Sequence, residues 1–197
     1  MRVCPIRTEA CQLNNRMRML WEQHATWTRM TIISIAEGLR DLEPTTARLL
    51  RNPKDIAALF RPLYGKEVAA ELERLLTEHL VLAADLVKAS KAGNCMAAAK
   101  IERRWYANGD EIAAFLSCIN PFWSKSEMTW MWRVHLDLVK AQAVARLKRD
   151  YEADIAFYDK GELHLLAMAD ELTCGIIRQF PQFRQHDFCG DWAAVGS

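Results

Sequence analysis

An all-α fold, an up-and-down helical bundle of about five long helices, follows from three observations. Apolar residues recur at steps of three and four along almost the whole chain, the spacing that keeps one stripe of a helix facing its neighbours. Glycine and proline, the residues that interrupt helices, number only 8 and 6 among 197 residues. No stretch alternates apolar and polar residues as a half-buried strand would.

The first predicted helix covers about 13–39 and is closed by the Gly38 region and Pro44. Residues 45–64 read as a looser segment holding one or two short helices, because Asn52-Pro53 has the form of an N-cap followed by proline at the first helical position. The second long helix, about 66–91, turns at Ala92-Gly93-Asn94 directly into the third, 95–119, and so short a turn makes antiparallel neighbours. Asn120-Pro121 ends the third helix, and Ser124 and Ser126 offer caps for a fourth that reaches about 148. The fifth runs from about 150 to 180 and stops at Pro181. One domain, 13–181, therefore lies between an N-terminal tail, 1–12, and a weakly periodic C-terminal tail, 182–197.

Composition narrows the function classes. Lys plus Arg total 26 against 25 Asp plus Glu, with no basic stripe, so no nucleic-acid partner is expected. No apolar run approaches the length of a membrane span and the N-terminus lacks an apolar signal core, which gives the expectation of a cytoplasmic protein without membrane contact. The six cysteines, Cys4, Cys11, Cys95, Cys118, Cys174 and Cys189, include no Cys-x-x-Cys pair. Three fall in the tails, and Cys95, Cys118 and Cys174 read as small, half-buried apolar residues near helix ends.

Ionisable residues interrupt four of the seams. The first helix reads Leu13, Met17, Leu20, His24, Trp27, Thr31; the second Val68, Leu72, Leu75, His79, Leu82, Leu86; the fourth Met128, Met131, His135, Leu138. The fifth reads Tyr151, Ile155, Tyr158, Glu162, Leu165, Ala169, Leu172, Ile176. A bundle built only for stability would place leucine at the four positions. Imidazole nitrogen and carboxylate oxygen are ligands for divalent first-row metals, and facing helices of a bundle build such sites. His24, His79, His135 and Glu162 thus form a candidate mononuclear three-His, one-Glu site for Fe, Zn, Mn or Cu, in storage, sensing or redox chemistry. His164 is set aside because Glu162 takes the inward position.

A metal-free bundle in which the same residues form a buried polar network, serving structure or a protein partner, is the alternative. Homo-oligomerisation is open under either reading. The residues three before His24, His79, His135 and His164 are Trp21, Leu76, Trp132 and Gly161, so the Glu-x-x-His pairs of dinuclear carboxylate bundles are missing. Haem is disfavoured by the lack of Cys-x-x-Cys-His and by a surplus third histidine. Asn108 would support a ligand if the third helix is continuous through Gly109, or cap a second half-helix if it is not. Tyr158, one turn before Glu162, would hold that carboxylate or serve as an ordinary core tyrosine.

Residues 48–60 and 104–116 match at an offset of 56, and the same offset superposes His79 on His135 and Asn52 on Asn108. Internal duplication of a helix-pair unit is one reading and shared helical composition the other. With Leu-Trp-Glu-Gln-His at 20–24, Arg-Trp-Tyr-Ala-Asn at 104–108 and Ile-Asn-Pro-Phe-Trp at 119–123, residues 18–181 resemble a small uncharacterised bacterial family. The resemblance implies a helical bundle, and the family pattern matches at His24, His79, His135 and Glu162. It departs at His164, where histidine is unusual, and at Gly109 and Gly161, where a helix-favouring residue is expected. Some members carry an automatic acetylglutamate kinase label, which this sequence does not support: it has no strands and no glycine-rich phosphate loop.

Overall fold

The computed structural model of the chain describes residues 9–183. Within them lie six α-helices: α1 (Glu9–Glu37), α2 (Leu42–Tyr64), α3 (Lys66–Lys91), α4 (Cys95–Ile119), α5 (Lys125–Leu147) and α6 (Tyr151–Gln179), followed by one 3-10 turn, Pro181–Phe183. Each helix packs on the next, and α6 returns to α1, so the six form a closed ring. α1 also meets α3 and α5 across the middle. The odd-numbered helices therefore approach the axis, and the even-numbered ones complete three helix hairpins around it.

The count of about five helices is corrected to six, and the reason lies in α2. Pro53 and Pro62 both sit inside it. Each lacks the N–H that would bond the carbonyl four residues back, a defect that costs about 3 kcal/mol in an isolated helix. Burial of Leu49, Ile56, Ala57 and Phe60 on one face offsets that cost. Asn52 is consequently not a cap but a mid-helix residue, fully buried. α1 begins at Glu9, four residues before the expected start, and α4 is unbroken through Gly109.

Side-chain caps appear where the sequence supplies them. Asn94, Ser124 and Asp150 accept from the backbone N–H of Ala97, Glu127 and Ala153, each relieving an orphan donor of the first turn. α2 and α3 are joined by Gly65 alone, at φ 89°, a conformation that a Cβ would strain.

The core is dominated by Trp21, Trp105, Trp123, Trp132, Phe60 and Ile112. Two expectations about its edges fail. Cys95, Cys118 and Cys174 are exposed rather than half-buried. The fifth predicted seam faces solvent over its first turns, where Tyr151 and Ile155 are exposed while Asp154, on the opposite register, is buried. Asp154 turns inward because Arg29 donates to it at 2.8 Å and Arg146 at 3.4 Å, neutralising a carboxylate that would otherwise be expensive to bury. Cys4, Cys189 and the tails 1–8 and 184–197 lie outside the described residues.

Candidate metal centre

Halfway along the axis, α1, α3 and α5 each direct one histidine to the same place. His24, His79 and His135 are 2%, 1% and 1% exposed. Their ring centroids lie 6.2, 5.6 and 5.6 Å apart. One nitrogen from each ring lies within 4.8 Å of the other two. Three atoms so spaced all fall within about 2.8 Å of one point, against about 2.0–2.1 Å for a zinc–imidazole bond. Closing the difference takes about 0.7 Å of movement per ring, within reach of small χ adjustments.

A scaffold that recurs three times orients the rings. On α2, Asn52 donates its amide to Leu20 O at 2.9 Å. On α4, Asn108 donates to Leu75 O at 3.2 Å. On α6, Nε2 of His164 lies 2.8 Å from Met131 O. Leu20, Leu75 and Met131 each precede the clustered histidine of their own helix by four residues. In every hairpin the second helix therefore grips the turn that carries the histidine of the first.

The grip also settles a tautomer. Because the Asn52 amide donates to Leu20 O, its Oδ1 is left as the acceptor facing Nδ1 of His24, 3.2 Å away. His24 must then carry its proton on Nδ1, which leaves Nε2 with a free lone pair. This is the arrangement by which metal-ligating histidines are usually held, the second ring N–H donating to a neighbouring oxygen.

Electrostatics favour neutral rings. Burial pushes His24 down to about 4, against a weaker upward pull from Asn52. Burial and then the His24 ring take His79 to about 3, with Asn108 acting the other way. His135 falls well below the ordinary histidine value through burial, reinforced by His24, His79 and His164. At neutral pH all three rings are uncharged, the form that binds metal. Among the described residues, Nδ1 of His79 and both nitrogens of His135 nevertheless lack any hydrogen-bond partner. A buried polar atom left so costs about 1–3 kcal/mol. Indoles exclude solvent around the cluster: Trp105 stacks on His79 at 5.5 Å, and Trp132 meets the edges of His79 at 5.2 Å and His135 at 5.8 Å.

Glu162 is not among the clustered donors. It stands at the wall of a cavity of about 20 Å³ that His24 and His135 also line, together with Gln142, Tyr158 and Gly161. That volume accommodates about one water. Tyr158 donates to Glu162 Oε1 at 3.0 Å, so the tyrosine does hold the carboxylate. Glu22 is close by; its pKa is raised by burial first and then by the Glu162 charge. The structure thus brings together the three histidines, places Asn108 against the turn that carries His79, and sets Glu162 and Tyr158 across a water-sized space.

Two participants, Asn52 and His164, lie outside the set that the seams mark. Asn52 has the sequence form of a cap because proline follows it, and Glu162 rather than His164 holds the inward step of its seam. The signal for both is the 56-residue offset, which pairs Asn52 with Asn108 and carries Asn108 onto His164.

No protein-family model matches the chain, and neither a curated protein nor a solved structure shows significant similarity to it.

Proposed function

We propose that the protein binds one divalent transition-metal ion through His24, His79 and His135, with Glu162 as the fourth group across the water-sized cavity, in a storage, sensing or redox role. The observation that carries this reading is the orphaned set of imidazole nitrogens, His79 Nδ1 and both nitrogens of His135, in a cluster whose donor atoms lie within 4.8 Å of one another. A metal-free polar network would bond these rings to each other or to Glu162; among the described residues His24 is bonded to Asn52 and His79 interacts with Asn108, while His79 Nδ1 and both nitrogens of His135 have no partner. An ion held on the free lone pairs would supply what hydrogen bonds do not.

Three neutral nitrogens and no carboxylate in the tight cluster favour zinc, iron or copper over manganese. Three protein ligands beside a water-sized space is the pattern of a site with an open position, where a bound water would find Glu162 as its acceptor. The recurrence of Asn52, Asn108 and His164 at a step of 56, with the clustered histidines following at 55 and 56, supports descent of the three hairpins from one repeated unit.

Elemental analysis of tag-free protein tests the proposal. About one equivalent of a transition metal per chain is expected, falling to background in His79→Ala with the helical circular dichroism retained. A wild type that holds well under one equivalent after incubation with zinc, iron or copper, with His79→Ala indistinguishable from it, would overturn the reading.

A further inference from the structure

A second cavity begins one helical turn beyond the histidine cluster and continues along the bundle axis towards the C-terminal ends of α1, α3 and α5. Its volume is about 140 Å³. Its walls are largely apolar, formed by Ile32, Ile35, Leu80, Val87, Val139 and Ala143 among others. On the side between α4 and α5 it is bounded by Lys140 and Glu102, paired at 2.5 Å and both partly exposed. A dry cavity of about 150 Å³ with such walls takes up a molecule the size of benzene.

Two features distinguish this space from a packing defect. Thr28 and Thr31 of α1 line it, 7% and 2% exposed, and among the described residues neither hydroxyl has a hydrogen-bond partner. Helical threonines normally bond back to the carbonyl four residues earlier, as Thr77 does to Glu73 O at 2.7 Å and Thr173 to Ala169 O at 2.8 Å. Thr28 and Thr31 forgo that bond beside an apolar chamber. Thr28 also lines the water-sized cavity shared by His24 and His135, so it stands between the two spaces.

We propose that this axial cavity binds a small neutral molecule with an apolar body of about six carbons and a single hydroxyl or carbonyl head, seated with its head on Thr28 and Thr31. The apolar walls take the body, and the two charged residues of the lining, Lys140 and Glu102, are paired with each other and so do not demand an ionised head. The head lies one side chain away from the cavity onto which His24 and His135 open. The proposal rests on the cavity and the hydroxyls and does not require a metal ion.

The test is calorimetric titration of the full-length protein with 1-hexanol and with benzene, in chelator-treated protein and again after one equivalent of zinc. One saturable site of millimolar affinity or tighter is expected for both probes. Ala143→Leu, which fills the chamber, should weaken both at least tenfold. Thr31→Val keeps the shape and removes one hydroxyl; it should weaken 1-hexanol about threefold to tenfold, the worth of one hydrogen bond, and leave benzene unchanged. No saturable binding by the folded wild type would overturn the proposal, as would wild-type affinity in Ala143→Leu. Unchanged hexanol affinity in Thr31→Val would overturn the placement of the head. Binding in the chelated protein bears on this site alone, so it stands or falls apart from the metal.

Discussion

Acid should destabilise this bundle from just below neutral pH, because the three clustered histidines are held neutral. Each ring has a native pKa far below the ordinary 6.5, about 4 for His24 and about 3 for His79, with His135 also well below. Once unfolded, each regains a value near 6.5. Between these values the unfolded chain binds protons that the native chain cannot, so stability falls as pH falls. From pH 7.5 to 5.5 the unfolded imidazole goes from about one-tenth to about nine-tenths protonated while the native ring stays neutral, which costs about 1.4 kcal/mol per histidine. The three together should remove about 4 kcal/mol over two pH units, a large share of the stability of an ordinary domain. Urea unfolding of chelator-treated protein at pH 7.5, 6.5 and 5.5, followed by circular dichroism, measures this directly. A variant with His24, His79 and His135 all changed to leucine retains His164 and should lose most of the dependence. A wild-type loss below about 1.5 kcal/mol, or an equal slope in the triple variant, would refute the reasoning.

Three further outcomes follow from the packing. Asn52→Ala removes the acceptor for His24 Nδ1 and the donor to Leu20 O, so it should cost about 2–3 kcal/mol in urea unfolding and weaken metal binding about tenfold to hundredfold by competition with a chelating dye. Asp154→Ala takes the carboxylate from between Arg29 and Arg146, leaving Arg146 only Glu37, and should lower stability by about 3 kcal/mol, with the loss shrinking in high salt because both arginines are partly exposed. Gly175→Ala would ordinarily favour a helix by about 1 kcal/mol, yet here the added Cβ would meet Trp123 Nε1 at 1.9 Å, and that ring is wedged against Phe60 and Tyr64. A net loss of about 1–3 kcal/mol in thermal unfolding is expected, and a stabilised variant would contradict the packing of Trp123 on α6.

The histidine cluster was legible because helical periodicity registers side chains to within one position, and His24, His79 and His135 each occupy a step that leucine would otherwise fill. The bundle itself was legible for the same reason. What periodicity cannot carry is the direction of a polar side chain once it is inside. Asn52 shows this: proline after asparagine matches a helix start, and only the apolar face of Leu49, Ile56 and Phe60 draws α2 through both prolines. Asp154 is a second case. Its neighbours Tyr151 and Ile155 look like seam residues, but two arginines from α1 and α5 reverse the register of the first turns of α6. Glu162 then sits at the margin where that reversed register returns to the core at Leu165, which places it beside the cluster rather than in it. The unpaired hydroxyls of Thr28 and Thr31 had no sequence signature, since a helical threonine ordinarily bonds to its own helix.

The central claim, that three imidazoles on the bundle axis share one ion, is tested most directly by X-ray absorption spectroscopy at the zinc edge on protein loaded with one equivalent. The account predicts a nearest shell at about 2.0–2.1 Å with the multiple-scattering signature of three imidazole rings, reduced to two or lost in His135→Leu. A shell without imidazole scattering, or one identical in wild type and His135→Leu, would contradict it.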